Sequence, residues 1–494
     1  VRVGGALLLL GLPLWLGCTS TPRATILYVT DAHEIAPVVD RHGERGGVAR
    51  LKTVVDRLGA GGPGALLVFG GDLAGGTLFG GVFRGEPMVD ALGRVGVGLA
   101  TFGQHDFDFG AVQAESLLKR SRFPWITANL VGPSGEPFGA LPTRALLRVG
   151  GMAVGFVGLT DDLVTATPES AVRQTDLVAA AAREAAALRQ EGAEAIVLLT
   201  QTGFERNRRL LDEVPEVDAV LTEEESETVS VVRWIGGRPI AAPTGNLGSV
   251  LELTLERRGG RVSSRVAVHP VDGSAAPDPD LAKLEKELME RLARELAAPA
   301  GALAAPLDET GSHERETALG NLVADAFREG TGADVALVPG SSLRAPLSAG
   351  PLSIRHAAAV LPFGNRVVTV ELRGAALRAA VERALSAVGQ RTGGLFQLSG
   401  MTIEADLGAA PGRRLRSARV GAAPLRDDAT YRVAVSSFLA AGGDGHAEIA
   451  SGRRIVGVEP VDAHLLAEHL RRLSRDGPAV PPALGRMVLA SRER

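Results

Sequence analysis

The stretch TILYVTDAH, Thr25 to His33, carries an apolar, β-branched run straight into two polar side chains. Its first residues predict a strand, and Asp31 and His33 then fall at that strand's carboxyl end. Residues two apart on an extended chain face the same way, so one carboxylate and one imidazole can grip one cation. Four further strand-like runs follow at 65–69, 98–102, 193–200 and 217–222, with helical stretches between them. Alternation of this kind predicts an α/β architecture. Ligand sites in such folds collect at the carboxyl ends of strands, which is where the chain's conspicuous polar residues lie.

Asp72 closes Gly70-Gly71-Asp72, where small glycines let a carboxylate project from a tight turn. Gly103-Gln104-His105-Asp106-Phe107-Asp108 follows the third run, and Gly46-Gly47-Val48-Ala49-Arg50-Leu51 precedes a helical stretch. Singly, an Asp or His after a strand is more often a cap or a satisfied polar group. In this order and spacing the four segments resemble the calcineurin-like metallophosphoesterases, in the branch formed by the bacterial 5′-nucleotidases. The resemblance implies a four-layer αββα domain over 25–272. It also implies hydrolysis assisted by two metals, with His105, oriented by Asp108, facing the scissile phosphate as acid or charge stabiliser.

Of the seven ligand positions the resemblance implies, Asp31, His33 and Asp72 match and four differ. Gln104 stands for an asparagine, Gln201 for a histidine, and Glu224 and Ser226 for the histidines of a GGHSH-type loop. Amide oxygens and an added carboxylate make an oxygen-rich site, which suits Mn²⁺ or Mg²⁺ better than Zn²⁺. One reading is therefore two ions, the second loosely held. The other is a lost second site, with Glu223 to Glu225 a solvated acidic loop.

A Pro-, Ala- and Asp-rich break at 272–280 leads into an apolar stripe of Leu281, Leu284, Leu288, Leu292 and Leu296. That spacing predicts one helix, started by Asp278-Pro279, inside a linker and hinge over 273–300. Residues 301–494 resemble the family's nucleotide-binding C-terminal domain, of α/β (α+β) type. The carriers are Arg315-Glu316-Thr317-Ala318-Leu319-Gly320-Asn321-Leu322, Leu361-Pro362-Phe363-Gly364-Asn365 and Phe438-Leu439-Ala440-Ala441-Gly442-Gly443-Asp444-Gly445. Arg344 occupies the arginine of a loop that contacts substrate in the family. The resemblance implies that Phe363 and Phe438 sandwich the base and Asp444 accepts from the ribose hydroxyls, with Arg315, Arg344 and Asn365 as further contacts. Aromatic faces bind any base with little preference, and a carboxylate suits a vicinal diol. His464 and His469, five apart on a C-terminal helix, are expected at the surface.

A net charge of −4 over 494 residues gives no basic field for nucleic acid, and no protein partner is predicted. The apolar run from Gly4 to Leu16 ends at Cys18, the one cysteine in the sequence, so no disulfide can form within the chain. Residues 1–18 resemble a lipoprotein signal peptide with Trp15 where Leu is usual, the alternative being a plain secretory signal. The expectation is an exported protein, anchored through Cys18 to a membrane and facing the periplasm or cell exterior. Three functions stay open: a 5′-nucleotidase releasing nucleoside and phosphate, a catalytically impaired nucleotide-binding protein of the same fold, or a related phosphoesterase with another substrate.

Overall fold

Along the strand Arg23–Val29, Ala24, Ile26 and Tyr28 point to one side and Leu27 and Val29 to the other, and both sides are buried. This is why the run reads as continuously apolar: the strand lies inside a sheet covered on both faces. The computed structural model describes residues 22–40, 43–59, 64–161, 172–388, 394–455 and 460–490, and the segment carrying Cys18 lies outside them. Among the described residues no helix is long and apolar enough to cross a membrane.

The strand belongs to a five-stranded sheet ordered Arg261–Pro270, Ser249–Arg258, Arg23–Val29, Ala65–Phe69, Leu99–Ala100. A second, six-stranded sheet runs Val231–Ile235, Arg238–Ala242, Ala219–Thr222, Ala195–Gln201, Met152–Thr160, Arg144–Val149. Ile26, Tyr28, Val68 and Leu251 of the first pack against Phe156, Val197, Leu199 and Leu221 of the second. The outward residues Leu27, Val29 and Phe69 meet helices Val48–Arg57 and Glu86–Val95. Leu159, Ile196 and Val220 meet helices Leu177–Gln190 and Phe204–Glu213 on the other side. Helix, sheet, sheet, helix is the four-layer arrangement the resemblance implied.

All five expected strands form, although within 98–102 only Leu99–Ala100 pairs as a strand. Arg23–Val29 runs parallel to Ala65–Phe69, in a register that sets Val29 beside Phe69. The turns after both strands therefore emerge at one edge. Ala195–Gln201 and Ala219–Thr222 end in parallel register on the facing sheet.

The linker helix spans Pro279–Ala297, with the Asp278 carboxylate accepting from the backbone N–H groups of Asp280 and Leu281. It is held against the first domain by Glu285, whose carboxylate accepts from Ala49 N–H at 2.8 Å. That contact caps helix Val48–Arg57, since Gly47 has no side chain to do so. Pro299–Leu303 is a strand paired antiparallel with Gly350–Ser353.

Beyond it, a five-stranded sheet is ordered Phe396–Ser399, Val335–Pro339, Thr430–Ser436, Val367–Arg373, Arg453–Ile455. Helices Ala318–Thr331 and Asp462–Leu473 cover one face and Gly374–Ala387 the other. The surface expectation for the two C-terminal histidines needs correction. His469 is buried with Nδ1 3.6 Å from Glu329, and His464 is half-buried in the seam between the domains. Five residues along a helix is about 500° of turn, so both flank the buried stripe instead of facing water.

Candidate active site

Asp31 and Asp72 each sit at a strand exit with positive φ, 56° and 62°. L-residues adopt that conformation at some cost, and here it turns both carboxylates inward. The two turns are laced together: Asp31 N–H donates to Gly71 O and Ala32 N–H to Asp72 O. His33 donates from Nδ1 to Gly75 O at 2.9 Å, because a carbonyl can only accept, and this leaves Nε2 as a bare lone pair 3.8 Å from Asp31 Oδ1. Burial, and then the neighbouring His105, push the His33 pKa down to about 3, so the ring is neutral, as a ligand must be. His33, Asp72 and His105 bring ligand atoms within 4.8 Å of one another.

His105 Nδ1 lies 2.9 Å from Asp108 Oδ2, as implied for an oriented imidazole. Burial opposes its charged form, but Asp108, Asp72 and Asp106 together outweigh that and raise its pKa to about 10. Its own N–H donates to Asp72 Oδ1 at 2.7 Å. Asp106, passed over in the sequence, is the residue that shapes the loop. Its carboxylate accepts from the N–H groups of Asp72, Leu73 and Gly103. The signal was present in the HDFD spacing, because in the 3₁₀ turn His105–Phe107 the residue after His105 points inward.

The altered positions separate. Gln201 donates from Nε2 to Thr30 Oγ1 at 2.7 Å and Gly70 O at 3.1 Å, which fixes the amide and leaves Oε1 buried without a partner. Glu224 lies against Asp31, its N–H 3.3 Å from Asp31 Oδ2 and its carboxyl hydrogen-bonded to the same group. Gln104 is at the mouth of the site beside His105. Ser226 is turned back on its own loop, its oxygen accepting from Thr228 N–H at 3.2 Å.

In the second domain Phe363 and Phe438 are 50% and 49% exposed, and among the described residues neither has an aromatic partner. Both line a cavity of about 240 Å³ together with Asn365, Gln104, His105 and Asp108. The Arg344 guanidinium lies 5.9 Å over the Phe363 ring. Gly443 packs on the Phe438 ring, where a Cβ would come within 2.4 Å of it. Asp444 is exposed at φ 55° in the turn beyond and is not among the residues lining the cavity. Nor does the structure bring Arg315 to the cavity: its guanidinium donates to Thr310 O at 2.9 Å, closing its own exposed turn.

Residues 297–451 match the sequence profile described as 5′-nucleotidase, C-terminal domain. A snake venom 5′-nucleotidase of Gloydius brevicauda is 26% identical over 94% of this chain and 89% of its own length. The human 5′-nucleotidase is 28% identical over 89% and 86%. The crystal structure of a 5′-nucleotidase precursor from Thermus thermophilus superposes with a TM-score of 0.65 at 25% identity, covering 96% of this chain and all of that one. Along nearly its whole length the chain is thus similar to 5′-nucleotidases, and residues 297–451 match their C-terminal domain. The resemblance implies a divalent metal, and the grouping of His33, Asp72 and His105 can be tested for fit to a cation.

The residues fit. Asp31 and Asp72 are both 2% exposed. Burial, and for Asp31 also the Glu224 carboxyl and Asp72, raise both carboxyl pKa values well above the usual range. The charged His105 beside Asp72 offsets this only in part. A dication would relieve the repulsion, and the free Nε2 of His33 and orphaned Oε1 of Gln201 are ready donors.

Proposed function

We propose that this 5′-nucleotidase homologue hydrolyses nucleotide phosphate esters to nucleoside and phosphate in a metal-dependent reaction. The observation that carries the reading is the single cavity shared by His105 and Asp108 on one side and Phe363, Asn365 and Phe438 on the other. A base between the two half-exposed rings would place its phosphate towards His105. Asp31, His33 and Asp72 would hold one cation, and Gln201, Glu224 and Gln104 with Asp72 a weaker second. Bound there, the ions supply charge neutralisation and Lewis acidity at the phosphate. His105, charged and fixed by Asp108, donates a hydrogen bond to a phosphoryl oxygen as negative charge develops. Oxygen donors at the second position favour Mn²⁺ or Mg²⁺ over Zn²⁺.

The domain division 25–272, 273–300 and 301–494 is part of the same proposal. So are export and lipid attachment at Cys18, which labelling of wild type but not Cys18→Ser with a fatty acid would test. Ser226, engaged with Thr228, favours the second reading of an impaired nucleotide binder. Phosphate release from AMP, ADP and ATP with Mn²⁺, Mg²⁺, Ca²⁺ or Zn²⁺ supplied separately decides between the two. Turnover with Mn²⁺ or Mg²⁺ is expected. Nucleotide binding without release under any metal would establish the binder.

A further inference from the structure

Between the metal centre and the clamp stands the turn Gly75-Gly76-Thr77, and it grips His33 at two points. The Gly75 carbonyl accepts from His33 Nδ1 at 2.9 Å, which fixes the ring. The Thr77 hydroxyl donates to the His33 carbonyl at 2.9 Å, which fixes the backbone. The same oxygen accepts from Gly80 N–H at 3.1 Å and so caps helix Leu78–Phe83. Gly76, at φ 79°, lies against the imidazole, where a Cβ would stand 2.8 Å from His33 Nδ1 and 2.9 Å from Cε1. A turn packed this tightly cannot shift without moving the ring.

The other side of the turn meets the second domain. Gly364, between Phe363 and Asn365 of the clamp loop, comes so near that a Cβ there would lie 3.2 Å from the Thr77 carbonyl oxygen. Gly76 and Gly364 line one cavity, together with His105 and Phe363. His33 stands edge-on to His105, with ring centres 5.2 Å apart. Clamp loop, Thr77 and His33 therefore form one run of close contacts that crosses from one domain to the other.

We propose that Thr77 is a positioning residue that couples the clamp to the metal centre: with Gly364 seated on its carbonyl, its hydroxyl holds His33 in place for a cation. This link presupposes that the clamp takes a nucleotide, as proposed above. A nucleoside closing the clamp then tightens the cation site, and the cation tightens nucleoside binding by the same factor. No phosphate is needed for the effect, since the coupling runs through protein.

Calorimetric titration of the full, metal-stripped chain with Mn²⁺, alone and with saturating adenosine, tests the link. Adenosine fills the clamp but carries no phosphate to bridge to an ion. In wild type it is expected to tighten Mn²⁺ binding by about five-fold or more. Thr77→Val, of the same shape without the hydroxyl, is expected to cut that factor below about two. Thr77→Ser keeps the hydroxyl and should restore it. Gly364→Ala disturbs the contact from the other domain and should lower the factor as well, with thermal unfolding checked for an intact fold in each variant. No tightening in wild type, an unchanged factor in Thr77→Val, or its loss in Thr77→Ser would overturn the proposal. No adenosine binding to wild type would overturn the nucleotide reading of the clamp, and this link with it.

Discussion

A methyl group added at Gly103 would come within 2.0 Å of the Asp72 carboxylate, and one at Gly75 within 2.0 Å of Asp108. Neither carboxylate can retreat, since Asp72 accepts from His105 N–H and Asp108 holds the His105 ring. Gly103→Ala is therefore expected to lower metal affinity at least ten-fold by calorimetry, while overall fold survives. Wild-type affinity would mean that Asp72 is not a ligand. Further from the site, Asp462 is buried, and burial raises its pKa to about 8 despite hydrogen bonds from Asn365 and Ala463. A raised folded pKa means stability fully present below the unfolded value near 4 and lost as pH rises towards 8. Asp462→Asn should then gain on wild type in urea midpoint between pH 5 and pH 8. A constant difference would show that Asp462 is charged throughout. At this scale the sequence was readable for Asp31, His33 and Asp72, which sit where a strand must end. It was not readable for Asp106 or for the direction of the Gln201 amide. Those depend on which backbone groups the folded turns present, and distant strands decide that.

At the scale of elements, strands and the linker helix were legible because apolar periodicity fixes which face is buried. The helix expected from its leucine stripe runs Pro279–Ala297, and its Asp278 cap follows from the local sequence. What the stripe could not show is the polar residue between the leucines. Glu285 reaches across to cap helix Val48–Arg57, a long-range contact with no local signature. Replacing it with Ala should cost about 0.5–2 kcal/mol, the usual worth of a cap, read as a lowered urea midpoint. No change would mean that water serves those N–H groups equally well. The strand after this helix has no local signature, because Ala and Pro are poor strand formers. Pairing of Pro299–Leu303 with Gly350–Ser353 overrides that preference.

For the whole molecule, the cavity joining His105 to the two phenylalanines exists only with the domains placed as they are. Gly364 comes close to the first domain, where a Cβ would stand 3.2 Å from Thr77 O and 3.8 Å from Thr77 Cα. We expect substrate entry and product exit to involve parting of the domains. Cysteines at Thr77 and Gly364, oxidised to a staple, should cut turnover more than ten-fold, with recovery on reduction. Full activity in the oxidised form would rule domain opening out. In the proposed reaction a nucleotide held by Phe363 and Phe438 is hydrolysed at the metal centre built on Asp72. Steady-state AMP hydrolysis under saturating Mn²⁺, for wild type, Phe438→Ala and Asp72→Asn side by side, tests it most directly. Wild type is expected to release phosphate, and Phe438→Ala to show a higher KM, corresponding to about 1–3 kcal/mol of lost stacking. Asp72→Asn is expected to lose kcat. Wild-type kinetics in both variants, or no phosphate release by wild type with Mn²⁺ bound, would contradict it.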